Sequence, residues 1–499
     1  MSGLLKNISA NFVGQGWVAL MGICFVPVYL KFIGVEGYGL VGFFLILSSA
    51  LTLLDGGFGA AATREASVYG ASSDEDKLRI ILVLRSTEVI FWGVAFFCGL
   101  LIFLLAPFIV SHWLDVDVSK VESVTRVIRI MAGAILLQFP VPFYYGCFIG
   151  LQRQVLLNIY SSFFATVRSA GAALVLWLVS PSVESFFIWQ CVVSLTTLLV
   201  IRVGVVRAVP GWSQSPVFSI YALKRLGHFA TGMGVSNILS FALMQVDKII
   251  LSKLLSLRDF GYYMLAWTVG TIAFRLMSPI FNSYYPKMAS HVELGEDGEV
   301  FRLLLRGSQL LSILVVPISL WIAIYSSDLL LFWTRDKEVA EVAAGPLSLI
   351  AIGTMFYSFM HMPYALQLAR GRSKFSVWQN AVSLVFMAPL TYFLLVVYGL
   401  RGSGWPWLLM NVACVMIILP IVFSRLRVPG GMVWCSQVVV WPCLISFVVL
   451  WGGSILIAPL GSYKIFLSVI FLCLSFFLVV ARFFILSLDW KKTRWRDVG

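Results

Sequence analysis

The sequence is poor in charge. Asp, Glu, Lys and Arg make up 12% of its 499 residues, whereas 60% are apolar and the mean hydropathy is +0.94. Soluble domains carry about a quarter charged residues, so a soluble enzyme is excluded. Histidine is scarce, with four residues, and the eight cysteines show no CxxC or metal-ligand spacing. Cys24, Cys98, Cys147, Cys191, Cys414, Cys435, Cys443 and Cys473 lie mostly inside apolar runs and read as packing residues. No metal site is expected. A P-loop, HExxH, GxSxG and a dinucleotide fingerprint are all missing. Long polar connections are missing too, which leaves no room for a folded soluble domain.

What is present is apolar length. A bilayer span takes roughly 20 residues, and about 36 per span with its link gives about fourteen spans over this chain. Reading along it, apolar segments fall at about 8–32, 40–62, 86–110, 127–149, 156–179 and 186–206. They resume at about 227–254, 262–286, 304–326, 346–369, 377–399, 405–424, 438–459 and 464–487. Barrel strands would be about ten residues long with alternating polarity. The expected fold is an all-α polytopic membrane protein of 14 transmembrane helices. The N-terminal run after Lys6 has no small-residue cleavage site and reads as an uncleaved first span.

The formal charge is +13. In a soluble protein that would suggest nucleic acid; here the positive-inside rule applies. With the N-terminus inside, about 23 of the 36 basic residues fall on the cytoplasmic side, including Lys77, Arg79, Arg85, Arg202, Arg370, Arg372 and Lys491. About ten fall outside, Lys120, Arg258, Arg335 and Arg401 among them, so both termini are expected in the cytoplasm. The longest outer link, about 327–345, carries a Trp333-Thr334-Arg335-Asp336 cluster and is too small to fold as a catalytic domain.

A weak internal repeat pairs IGVEGYG (33–39) with LSLRDFG (255–261), each between the first and second spans of a half. The offset is close to six spans, an even number, so the halves keep one orientation. Expected domains are an N-lobe over 1–206, a C-lobe over 227–425, and spans 13–14 with a basic tail over 426–499 as an appendage. The link at 207–226 reads as a cytoplasmic amphipathic helix that starts at Ser215-Pro216. Prolines recur inside spans, as at Pro107, Pro279, Pro317, Pro389, Pro420 and Pro442, and suit helices that bend.

An ion near the membrane centre costs about 2.5–3.5 kcal/mol on insertion scales, so intramembrane charges usually face a cavity. Arg168 lies midway along span 5 and Arg275 midway along span 8; Lys248 follows Asp247 in span 7, and Asp55 lies in span 2. Neighbouring helix residues point about 100° apart, so Asp247 and Lys248 are not expected to face one point. Glu88 and Arg129, near span ends, read as snorkelling residues. Arg64 and Glu65 read as interfacial, and His228 and His361 as packing residues.

Residues 4–40, with Asn7, Asn11, Pro27, Tyr29 and the Gly34–Gly39 loop, lead into LLDGGFGAAATRE (53–65). Together with VDKIILSKLLSLRDFGYYMLA (246–266), they resemble bacterial Wzx-type O-antigen and polysaccharide flippases. These belong to the multidrug/oligosaccharidyl-lipid/polysaccharide (MOP) exporter superfamily. The resemblance implies two six-helix lobes in a V-shaped arrangement, plus two extra C-terminal helices. It also implies a bacterial inner-membrane protein that is not an enzyme. The activity implied is translocation of an undecaprenyl-pyrophosphate-linked oligosaccharide from the cytoplasmic to the outer leaflet by alternating access. A polysaccharide polymerase and a chain-length regulator are the implied partners, and nucleic acid is not. On this reading Arg168, Lys248 and Arg275 bind pyrophosphate, because arginine forks and ammonium groups pair with phosphate oxygens. Asp55 and Asp247 either take up a coupling proton or sodium ion or neutralise a basic neighbour. No cofactor is expected. The alternatives are a cation-coupled drug antiporter of the same superfamily and a membrane glycan polymerase.

Overall fold

The computed structural model describes residues 2–55, 58–212, 218–219, 234–426 and 430–492. The amphipathic helix expected over 207–226 lies mostly outside them, as do Gly56, Gly57, His228, Arg494 and Arg496. Among the described residues the chain is helical, and its extended pairing is one isolated bridge, Asp115 to Ser256. The chain divides into two compact units, Met1–Gly261 and Tyr262–Gly499. This grouping follows contacts, whereas the lobes read from the sequence follow the repeat.

The first unit holds α1 (Ser2–Cys24), α2 (Val26–Leu51), α3 (Phe58–Val68), α4 (Asp74–His112), α5 (Val121–Gln138) and α6 (Val141–Gly150). It continues through α7 (Gln154–Leu178), α8 (Val183–Ala208) and α9 (Gly234–Leu254). Helix α10 (Leu257–Gly270) crosses the division. The second unit holds α11 (Phe274–Glu293), α12 (Asp297–Ile324), α13 (Ser326–Thr334), α14 (Lys337–Phe359), α15 (His361–Ala369) and α16 (Ser373–Tyr398). It ends with α17 (Trp405–Ala413), α18 (Leu419–Arg425), α19 (Gly431–Cys435), α20 (Trp441–Ile457) and α21 (Lys464–Lys492).

Among the described residues eleven helical runs are long and apolar enough to cross a bilayer, and twelve if α10 and α11, bent by 41° at their junction, form one span. The expected first and seventh spans coincide with α1 and α9, which are outside those twelve. Helix α9 carries Asp247, Lys248 and Lys253, and the charges dilute its apolar character. The turn expected between the first two spans is real. Gly34, with φ 69° and ψ 177°, breaks α2 in a region essentially reserved for glycine. Apolar side chains face outward, Phe97, Leu104, Trp177, Phe386 and Phe477 among them, which is tolerable beside lipid and not in water.

Within each unit, links gather by parity. In the first, Lys120 pairs with Glu36 at 2.7 Å and Arg126 with Glu184 at 3.3 Å, which joins the links after spans 1, 3 and 5. Tyr69 donates to the Pro210 carbonyl at 3.1 Å and Arg85 to that of Trp212 at 3.0 Å, which joins the even links. In the second unit Arg370 pairs with Asp297 at 2.7 Å and also donates to the Leu426 carbonyl. Helices that alternate up and down require this sorting.

Spans 13 and 14 are built into the second unit, which corrects their reading as an appendage. One stripe of α12 bonds to both. Ser312 donates to the Val438 carbonyl at 2.7 Å, and Ser308 accepts from Trp434 at 3.0 Å. Gln309 meets Gln437 at 2.8 Å, Trp321 donates to Ser468 at 2.8 Å and Tyr325 to the Leu450 carbonyl at 3.1 Å. Each such bond contributes about 0.6 kcal/mol in a membrane protein, so the stripe mainly fixes register. The close packing of Met277, Leu304, Val315, Val438 and Leu450 around it supplies the attraction.

Two of the prolines sit beside π-turns. Cys414–Ile418 and Ser436–Val440 each wind as a π-turn one residue before Pro420 or the Trp441-Pro442 helix start. Proline lacks the N–H that would continue the α-ladder, and the wider turn absorbs the loss.

The two repeat motifs meet each other. A methyl group added at Gly39 would stand 2.2 Å from the Leu257 carbonyl oxygen, and one at Gly261 would stand 2.1 Å from that of Val35. In the repeat register Leu257 is the counterpart of Val35, and Gly261 of Gly39. The contact is therefore reciprocal, as a two-fold pseudo-axis between the motifs demands. Gly39→Ala forces backbone apart and is expected to lower stability by about 1–3 kcal/mol. Gly93→Ala, where nothing lies within 4 Å, is the control. Thermal unfolding in detergent measures both, and equal midpoints would refute the close contact.

Candidate functional site

Charged side chains inside the apolar helices define the candidate site, and their partners differ sharply. Arg168 lies midway along α7 and is partly buried. Its guanidinium donates to Gln190 Oε1 at 3.1 Å and to Ser194 Oγ at 3.4 Å, both on α8. Ser194 in turn donates to the Gln190 carbonyl at 2.6 Å and accepts from Gln138 of α5 at 3.1 Å. Beside it, Tyr29 donates to the Ser169 carbonyl at 3.0 Å and meets Phe186 edge-on at 5.1 Å. All partners of Arg168 are neutral. Among the described residues no carboxylate lies within 4.0 Å of it. A guanidinium has five N–H donors, so this one is held in place with donors to spare.

Lys248 is engaged. Its ammonium lies 3.0 Å from Asp247 Oδ1 and 2.6 Å from the Met244 carbonyl, and both side chains are buried. This corrects the expectation that neighbouring residues on a helix do not share a point. The four-carbon lysine stem curls back across the 100° offset. A buried pair of this kind compensates its own desolvation only while both partners remain.

Asp55 ends a short 3-10 turn, Thr52–Asp55, and accepts from the Gly59 backbone N–H at 2.7 Å. It thus satisfies one of the free N–H groups in the first turn of α3. Arg275 occupies the first turn of α11, just after the bend. Its side chain is exposed, and among the described residues its guanidinium has no hydrogen bond or ion pair. A cation there opposes the positive end of the helix dipole, so an anion nearby would relieve two unfavourable terms together. Asp247 and Lys248 are brought together, whereas Arg168 and Asp55 have separate partners and Arg275 belongs to the other unit.

Three residues read as interfacial or topological are placed otherwise. Glu88 is buried, accepting from Arg202 Nε at 2.7 Å and from the Tyr144 hydroxyl at 2.6 Å, with Trp92 donating to Tyr144 at 3.4 Å. It does not snorkel, because the opposing helices supply a cation and a phenol. Arg202 is accordingly a pairing residue as well as a topological one. Glu65 is buried too. Arg129 is exposed and stacks on Phe103 at 5.3 Å, and His361 packs against Phe281 and Tyr357. Among the described residues no three His, Cys, Asp or Glu side chains gather as a metal site, and the cysteines there are unpaired.

A family model described as "Polysaccharide biosynthesis protein" matches residues 4–292. The chain belongs to this family. The segments 4–40, 53–65 and 246–266 that carried the resemblance to Wzx-type flippases all fall inside the match. A Shigella flexneri protein named "Putative O-antigen transporter" is 21% identical over 413 residues, covering 81% of this chain and 94% of that one. Among solved structures, the lipid II flippase MurJ in an inward closed conformation superposes with a TM-score of 0.74. Its identity is 13%, over 96% of this chain and 99% of MurJ. An inward-facing multidrug resistance MATE transporter of the MOP superfamily has a TM-score of 0.67 at 13% identity, over 83% of this chain and 95% of its own. The fold is therefore that of the MurJ and MATE structures. These relatives are named for transport or flipping, not for catalysis.

Within a member of this family, the Gln138–Ser194–Gln190 cluster around Arg168 was the part hardest to read from sequence. Its signal was present: Gln190 and Ser194 are four apart on one apolar helix and so share a face. The Glu88 network gives a test. Removing Arg202, which is 43% exposed, strands a buried carboxylate, whereas Glu88→Gln leaves a cation that water can reach. Arg202→Ala is expected to cost about 1–3 kcal/mol, more than Glu88→Gln. Unfolding midpoints of the two variants compare them, and a smaller loss for Arg202→Ala would contradict the arrangement.

Proposed function

We propose that this protein is a flippase for a lipid-linked oligosaccharide, carrying an undecaprenyl-pyrophosphate-linked repeat unit from the cytoplasmic to the outer leaflet for surface polysaccharide synthesis. The observation that carries this reading is the match along 94% of a relative named as an O-antigen transporter, within a polysaccharide biosynthesis family. The fold shared with a lipid II flippase supports it. The proposal includes fourteen spans, with α1 and α9 as the first and seventh, and both termini in the cytoplasm of the inner membrane. A polymerase and a chain-length regulator are its proposed partners.

The chemistry suits the cargo. A pyrophosphate head is anionic and hydrated and does not cross hydrocarbon unaided. Arg168 and Arg275 offer guanidinium donors that no carboxylate among the described residues takes up, and phosphate oxygens accept such forks in pairs. Release requires affinity to differ between inward and outward states. Lys248, already held by Asp247, contributes to the head only if that pair opens. Protonation of Asp247, or its capture of sodium, is the step that would free the lysine, and this couples transport to an ion gradient. Asp55, bonded to the α3 backbone, serves in the same proposal as a second candidate for ion coupling.

Deletion of the gene is expected to abolish the surface glycan and to leave the lipid-linked unit on the cytoplasmic leaflet. Arg168→Ala and Arg275→Ala are expected to reduce complementation at least about tenfold, the value of one or two charge-assisted bonds, while expression and folding persist. An unchanged surface glycan in a strain without a second flippase would refute the reading. Full complementation by both variants would remove the role of the cations. A cation-coupled antiporter is the second reading, favoured by the MATE-like fold; it predicts drug sensitivity with an intact glycan. A glycan polymerase predicts that single units still reach the outer surface.

A further inference from the structure

A small pocket lies at the basic end of the second unit, where α15, the start of α16 and the end of α18 converge. It is lined by Gln367, Arg372, Phe375, Val422, Arg425 and Leu426. Arg372 donates to the Arg425 carbonyl at 2.7 Å, so one of its donors closes the α18 C-terminus. Arg425 extends its guanidinium over the Phe375 ring at 5.1 Å. Helix capping accounts for those contacts. It does not account for Gln367.

Gln367 is 1% exposed, and its Oε1 accepts from Ser376 at 2.7 Å. Among the described residues its Nε2 has no hydrogen-bond partner, although burying such a donor costs about 1–3 kcal/mol. The pocket thus brings together an unsatisfied glutamine amide and two arginines, and among the described residues none in its lining is acidic. The nearby Asp297 is taken by Arg370. The N-terminus of α16, at Ser373, adds its positive dipole end to the same place. Every polar side chain in the lining can donate, which is the complement of an oxyanion.

We propose that this pocket binds a phosphate group, presented by an anionic lipid headgroup or as a free anion. The site is separate from the transport residues and does not rest on the flippase reading. Its position, where the links after spans 8, 10 and 12 meet, is the level at which a span ends among headgroups. Occupancy would give Gln367 its missing acceptor and tie the links after spans 10 and 12 together.

The test uses the full-length protein in neutral detergent. Unfolding midpoints are measured with inorganic phosphate against chloride at equal ionic strength, and with phosphatidylglycerol against phosphatidylcholine. Native mass spectrometry counts retained lipid. Stabilisation by phosphate alone assigns a free-anion site, and stabilisation confined to phosphatidylglycerol assigns a headgroup site. Gln367→Glu keeps the acceptor for Ser376 and replaces the donor with a carboxylate; Arg425→Gln removes one cation and leaves the Arg372 cap. Each is expected to weaken binding at least about tenfold, with the helical spectrum and monodispersity unchanged. No stabilisation of the wild type by either probe would overturn the proposal, as would wild-type affinity in either variant.

Discussion

Hydrocarbon offers no hydrogen bonds, and this constraint organises the molecule. Every polar group placed inside a span has to find its partner within the protein. The α12 stripe does so with serine, glutamine and aromatic donors against spans 13 and 14. Glu88 does so with Arg202 and Tyr144, and Lys248 with Asp247 and the Met244 carbonyl. Against that background a cation without a counter-ion stands out. Among the described residues Arg168 is held by amide and hydroxyl groups, and Arg275 opposes a helix dipole with no ion pair to offset it.

Shape follows from a second constraint, the close approach of backbones. Gly39 and Gly261 touch the carbonyl groups of each other's motifs, and neither position has space for a side chain. Glycine there is a packing requirement, whereas at Gly34 it is a conformational one. The bend between α10 and α11, and the π-turns beside Pro420 and Trp441-Pro442, show the same economy. Irregular turns sit where the regular ladder is already broken.

The partition of charge separates helix-end pairs from buried ones. Exposed pairs such as Lys77 with Asp74 and Arg302 with Glu299 are worth little each and mark the ends of helices. Inside the spans charges cost energy, and among the described residues the Arg168 guanidinium meets neutral partners. The chain belongs to a family described by polysaccharide biosynthesis, and its fold is that of the MurJ and MATE structures.

The sequence by itself determined the membrane class, the helical segments and the odd residues within them, because hydropathy and turn chemistry are local properties. It places a loop at Gly34–Gly39, pairs the 33–39 and 255–261 motifs as a weak repeat, and marks Arg168 and Arg275 as costly. Tertiary structure decided who meets whom. Glu88 was read as snorkelling because Arg202, 114 residues away, carries no mark of pairing with it. Asp247 and Lys248 were set apart by a helical angle that a flexible lysine stem overrides. Spans 13 and 14 were read as an appendage because the stripe on α12 is spread over serines and a glutamine that look ordinary one at a time. Pairing depends on distance in space, and in a bundle of helices that distance is set by packing partners far along the chain.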